Sequence, residues 1–214
     1  MPFVGTRNVY FVVPSSRDRP QRLLAMLHGL CNPPAYACGL WARAASERGF
    51  LVCPSGDGSC GPAAYDAPTW TEPFDKMAAD LDLAVATVEA RYPGEIRREG
   101  GILAGFSRGA YAAPEVVERS PGRYRYLLLV EADVQLSAAR LRAAGVRAVA
   151  LLAGELGTQH RGEARTAAAL AAGGLPARFW PMRGAGHWYS EDIDALMREA
   201  TGWLLSHEGE GDER

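Results

Sequence analysis

Ser107 stands in Gly105-Phe106-Ser107-Arg108-Gly109, between two glycines, at the point where an apolar run gives way to a helix-like segment. A hydroxyl there can attack an acyl carbon if an imidazole takes its proton and a carboxylate orients that imidazole. His187, in Gly184-Ala185-Gly186-His187-Trp188, is the candidate base. Three carboxylates are candidates for the orienting acid: Glu131, Asp133 and Glu155. Asp133 is the first choice, because it lies just past the apolar Leu127 to Val130 run, where a loop begins. The competing reading of all three is that they solvate loops or pair with arginines, as most surface carboxylates do.

A serine on a sharp strand-to-helix turn is pushed out of the sheet, and side chains at the flanking glycines would collide with neighbouring backbone. The pentapeptide alone is a weak signal, so its context decides. Before it, Gly101-Ile102-Leu103-Ala104 reads as a strand buried on both faces. After it, Ala110 to Ala113 and Glu115 to Glu118 continue as a helix, with Pro114 as a break in it.

The surrounding elements alternate. Apolar runs predict strands at Val9 to Val13, Leu23 to Leu27, Phe50 to Cys53, Ile102 to Phe106, Tyr126 to Val130, Val146 to Leu152 and Arg178 to Met182. Helices are predicted near Tyr36 to Arg48, Phe74 to Tyr92, Arg108 to Arg119, Gly162 to Ala172 and Glu191 to Leu205. Met77, Leu81, Val85 and Val88 make an amphipathic stripe on the second of these. Such alternation implies an α/β three-layer sandwich with a mainly parallel central sheet. Functional groups then gather beyond the carboxyl ends of the strands, where Ser107, His187, His28-Gly29-Leu30 and the candidate acids all fall.

In the order of these motifs the chain resembles the α/β-hydrolase superfamily, from about residue 8 to residue 205. Gly105 to Gly109 matches the nucleophile elbow after strand five, His28-Gly29 the oxyanion-loop motif after strand three, and Gly186-His187 the late catalytic histidine. The resemblance, to small capless serine esterases of the carboxylesterase or dienelactone hydrolase kind, implies the α/β-hydrolase fold. It also implies cleavage of an ester, thioester or related acyl bond through an acyl-enzyme on Ser107, with no cofactor and no metal. The backbone amides of Leu30 and Arg108 are then the oxyanion donors, and His28 braces the loop. One departure stands out: Gly154-Glu155-Leu156-Gly157 puts glycine where relatives commonly carry the aspartate. That departure supports an alternative, a catalytically degenerate binding or regulatory protein on the same fold.

With 214 residues, 48% of them hydrophobic, the chain can build one substantial core, so residues 1–206 are read as a single domain. The charged, glycine-bearing segment 207–214 is read as a disordered tail. A net charge of -2 without a basic stripe argues against nucleic acid and for a small-molecule acyl substrate. No leader-like segment and no apolar run of about 20 residues is present, so no membrane span and a cytoplasmic setting are expected. Oligomeric state is left open.

Cys31, Cys38, Cys53 and Cys60 match no zinc-ligand spacing. Cys53, inside a strand, reads as a small buried hydrophobe. A Cys31–Cys60 disulfide is geometrically conceivable, since both follow strands at one sheet edge, but a cytosolic setting argues against it. Tyr65, Trp70, Trp188 and Tyr189 lie in segments that border the expected site, as substrate contacts or as seals of loops onto the core; Trp41 reads as core and Asp57 as a turn residue. Only about fifteen residues, Glu131 to Gly145, separate the Tyr126 to Val130 run from the Val146 to Leu152 run, too few for an inserted cap, so the cleft is expected to be open.

Overall fold

Leu23 to Leu27, Phe50 to Cys53, Leu127 to Val130 and Val149 to Ala153 carry no charged side chain, and in the computed structural model each is a strand buried on both faces. The structure describes residues 1–63, 66–71 and 73–209. The strands are β1 (Pro2–Val4), β2 (Arg7–Val12), β3 (Gln21–Leu27), β4 (Gly49–Pro54), β5 (Gly58–Ser59), β6 (Pro68–Thr69), β7 (Ile96–Phe106), β8 (Tyr124–Val130), β9 (Ala148–Gly154) and β10 (Ala177–Met182). The helices are α1 (Pro34–Ser46), α2 (Phe74–Arg91), α3 (Arg108–Arg119), α4 (Ala138–Ala143), α5 (His160–Ala172) and α6 (Ile193–Leu205).

Eight strands form one sheet in the order β1-β2-β4-β3-β7-β8-β9-β10. From β4 to β10 the neighbours run parallel, while β2 and β1 add an antiparallel edge. The predicted stripe of α2, Met77, Leu81, Val85 and Val88, is buried with residues of α3, α4 and α5 against one face. On the other face α1 and α6 bury Trp41, Met197 and Leu204 against Leu51, Ile102 and Leu152. The mainly parallel three-layer sandwich expected from the alternation is therefore the fold observed.

The differences from expectation have local causes. Helix α3 runs through Pro114, because Ala110, Ala112, Ala113, Val116 and Val117 bury its apolar face on either side of the proline. Cys53 is half of a cystine with Cys38, their Cα atoms 6.1 Å apart. Cys38 shares the inner face of α1 with Trp41 and Ala45, and that face lies on β4. A second disulfide joins Cys31 to Cys60, Cα to Cα 5.5 Å. The described part of the segment read as a disordered tail lies against the fold: His207 packs edge-on to Trp203 at 4.6 Å, and Glu208 pairs with Arg22. Residues 210–214 lie outside the described residues.

Candidate active site

β7 ends at Phe106 and α3 begins at Arg108, leaving Ser107 alone to make the turn. Its backbone sits at φ 50°, ψ −118°, a conformation L side chains rarely adopt. A Cβ at Gly105 would come within 2.5 Å of the Gly109 and Ala110 backbone, and one at Gly109 would fall inside the carbonyl of Leu27. Both flanking glycines are thus required by close backbone approach. The turn is tied to the sheet by the Ser107 amide, which donates to the Val130 carbonyl at 2.8 Å.

His187 lies in the loop between β10 and α6, with Nε2 2.9 Å from Ser107 Oγ and Nδ1 3.1 Å from Glu131 Oε2. Glu131 is fully buried and, like the serine, sits in the left-handed region, at φ 60°. Its other oxygen accepts the Gly154 amide at 2.5 Å, at the end of β9. Burial pushes the Glu131 carboxyl above its ordinary range, while the Gly154 N–H and the His187 ring pull it back by favouring the anion. Glu131 and His187 follow β8 and β10, which have β9 between them, so this carboxylate meets the ring over the end of β9.

The carboxylate on the histidine is therefore that of Glu131 and not that of Asp133, the first choice from sequence. Two residues further on, the chain has turned towards α5, and Asp133 lies over the Cα of Gly162, where a Cβ would overlap its carboxyl carbon. Glu155 faces away as well: its Oε2 accepts the Gly184 amide at 3.4 Å. Gly157, where the aspartate is absent, sits beside the same spot, and a Cβ there would be 3.4 Å from Glu131 Oε2.

On the opposite side of Ser107 runs the loop after β3. Gly29 packs so closely that a Cβ would lie 2.8 Å from the Phe106 ring and 3.2 Å from the Ser107 Cβ. His28 is fully buried beneath it; Nδ1 donates to the Gly29 carbonyl at 2.7 Å and Nε2 accepts the Gly56 amide at 2.9 Å. Both nitrogens are used in the neutral form, and burial lowers the pKa to about 4. Trp70 stacks on the ring and donates its indole N–H to the His28 carbonyl at 2.9 Å. Cys31, at φ 50°, anchors the loop to Cys60. Leu30 follows Gly29 in this loop, and Arg108, as the first residue of α3, has an N–H without an intrahelical partner. Its guanidinium lies 4.5 Å above the Phe74 ring.

The rim is aromatic. Tyr36 and Trp188 stack at 5.8 Å, Trp188 meets Phe106 edge-on at 5.5 Å, and Phe106 packs on His187 at 5.5 Å. Leu30, Tyr36 and Trp188 are 54%, 52% and 41% exposed, which leaves an apolar surface open to solvent beside the serine. Trp70 and Tyr189 are buried and seal loops, Tyr189 with its hydroxyl 3.4 Å from the Trp41 indole N–H. Asp57 accepts the Thr71 amide at 3.1 Å, in keeping with a turn role, and Tyr65 lies outside the described residues. Among the described residues no three His, Cys, Asp or Glu side chains cluster as metal ligands would, and no helix is long and apolar enough to cross a membrane.

No family model matches the sequence, and a comparison with the curated proteins finds no match. Solved structures do match. Esterase PE8 superimposes with a TM-score of 0.68 at 20% identity, over 94% of this chain and 99% of that one. FphF, a fluorophosphonate-binding serine hydrolase of Staphylococcus aureus, gives 0.66 at 16% identity, covering 96% and 95%. Acyl-protein thioesterase 2 of Zea mays gives 0.62 at 19% identity, covering 92% and 99%. The chain has the α/β-hydrolase fold. Within that fold Ser107 and His28-Gly29 directly follow β7 and β3, and His187 lies in the loop after β10.

Proposed function

We propose that this protein is a serine hydrolase that cleaves an ester, thioester or related acyl bond through an acyl-enzyme on Ser107. The observation that carries this reading is the continuous relay Ser107 Oγ, His187 Nε2, His187 Nδ1, Glu131 Oε2, with contacts of 2.9 and 3.1 Å. In the proposed reaction His187 takes the Ser107 proton as the hydroxyl attacks the acyl carbon, then delivers it to the leaving oxygen or sulfur. A water activated by the same ring releases the acid. Glu131 orients the ring and stabilises the imidazolium. The Leu30 and Arg108 amides receive the oxyanion, a contribution of about 3 to 4 kcal/mol for each such donor in related chemistry.

The competing reading, a degenerate binding protein, draws on the glycine at position 157. The approach of Glu131 to His187 supports the catalytic reading instead, since it supplies a carboxylate where that glycine supplies none. The exposed Leu30, Tyr36 and Trp188 surface favours an apolar acyl or aryl group. The two disulfides favour an oxidising compartment over the cytoplasmic setting expected from sequence.

Turnover of short-chain p-nitrophenyl esters tests the proposal. A pre-steady-state burst equal to the enzyme concentration, lost in Ser107→Ala, is the expected result. Turnover by Ser107→Ala equal to that of wild type would overturn it.

A further inference from the structure

Glu163, on the first turns of α5, is a fully buried carboxyl that the proposed reaction does not use. One of its oxygens accepts the backbone amide of Ala132, the residue next to Glu131. The same helix grips the same loop twice more. Thr166 Oγ1 donates to the Val134 carbonyl at 3.0 Å, and Gly162 makes the close approach on which Asp133 lies. The Ala132 contact matters most for geometry. Glu131 holds a left-handed conformation that needs outside support, and the amide that follows it is one of the groups that fix it.

We propose that Glu163 is a positioning residue for the reaction: its carboxyl, anchored on the Ala132 amide, holds the turn that aims Glu131 across the end of β9 at His187. This rests on the Ser107–His187–Glu131 reading above. The charged groups facing Glu163 are Glu131 and Asp133, both from the loop after β8; His187, from the loop after β10, and His160, at the start of α5, stand beyond Glu131. Burial, with those two carboxylates adding to it, pushes Glu163 well above the ordinary carboxyl range, against the pull of the Ala132 N–H. Burial and the two neighbouring carboxylates thus disfavour a second negative charge behind Glu131.

The test is the pH dependence of kcat and KM on an aryl ester for Glu163→Ala, Glu163→Gln and Glu131→Gln. Glu163→Ala is expected to lower kcat about 10- to 100-fold with KM within about twofold, the effect of a misaimed catalytic group. Its acid limb moves in the same direction as that of Glu131→Gln, because both variants take the Glu131 carboxylate from the ring. A purely structural role would lower the melting temperature and leave that limb in place. Glu163→Gln keeps an acceptor oxygen for the Ala132 amide and is expected to recover kcat to within about threefold of wild type, with the limb unmoved. If the alanine variant does not fold, Glu163→Met fills the volume without an acceptor and is expected to show the same loss. Wild-type kcat and limb in the alanine or methionine variant, or a glutamine variant as impaired as these, would overturn the proposal. If Glu131→Gln is itself harmless, the relay reading fails and takes this inference with it. If Glu131→Gln is severe while loss of the Glu163 acceptor is silent, only the role of Glu163 fails.

Discussion

Glu131 Oε2 meets His187 Nδ1 at 3.1 Å, although the two residues are 56 apart in sequence and follow strands with β9 between them. Neighbouring strands are spaced by about 4.8 Å, so the carboxylate from the end of β8 and the ring from the loop after β10 together bridge about twice that. The Gly154 amide holds the Glu131 carboxylate over the end of β9, where the ring meets it. Glu131→Gln is expected to lower kcat by about a thousandfold or more, as loss of the triad acid does elsewhere. Glu131→Asp, one methylene short, should fall between that and wild type. Asp133→Asn and Glu155→Gln, which remove carboxylates aimed elsewhere, should stay within about threefold, as surface changes do. Steady-state kinetics on one ester ranks all four.

Position 157 offers a second route to the same point. A Cβ at Gly157 would stand 3.4 Å from Glu131 Oε2, so an aspartate there would direct its carboxylate at the space Glu131 fills. In Glu131→Ala, adding Gly157→Asp is expected to recover at least about tenfold in kcat, a shift of about 1.4 kcal/mol in the barrier. In the wild-type background the same change sets two carboxylates together and should reduce activity. Kinetics of the two single variants and the double variant check both signs.

His28 couples the oxyanion loop to pH. Its folded pKa of about 4 lies below the ordinary 6.5, so the folded state binds fewer protons than the unfolded chain between those values. Stability from this group is fully present above pH 6.5 and is lost as pH falls towards 4, by up to about 3 kcal/mol. Urea unfolding of wild type and His28→Gln at pH 7 and pH 4.5 should show the wild type losing more stability on acidification.

The Cys31–Cys60 disulfide fixes the residue that follows Leu30, whereas Cys38–Cys53 joins α1 to β4 within the core. Closing loops of these lengths stabilises by about 3 kcal/mol each in the chain-entropy account. Replacing Cys31 and Cys60 by alanine is expected to lower both the melting temperature and kcat, the latter by about tenfold through a loosened oxyanion loop. Replacing Cys38 and Cys53 by alanine should lower the melting temperature and leave kcat unchanged. Thermal melts beside ester kinetics separate the two.

The fold was legible because parallel strands buried on both faces leave uninterrupted apolar runs, and α2 repeats its stripe at helical spacing. Ser107 and His28-Gly29 were legible for a related reason. Gly105, Gly109 and Gly29 sit where backbones or rings nearly touch, so the geometry leaves marks in the sequence. The acid left no such mark. Glu131 and Asp133 are two residues apart, and which one faces His187 depends on where the chain turns after β8 and on the width of β9, neither of which spacing along the chain encodes. One signal was available: Glu131 directly ends the apolar run, as Ser107 does. Cys38 was similarly readable from its place on the inner face of α1, with Trp41 and Ala45.

The most direct test of the central claim is intact-protein mass spectrometry after treatment with a fluorophosphonate, followed by peptide mapping. One adduct per chain, located on Ser107, absent in Ser107→Ala and much slower to form in Glu131→Gln, is the predicted result. Folded wild-type protein that takes up no adduct, or takes it up at another residue, would contradict the account.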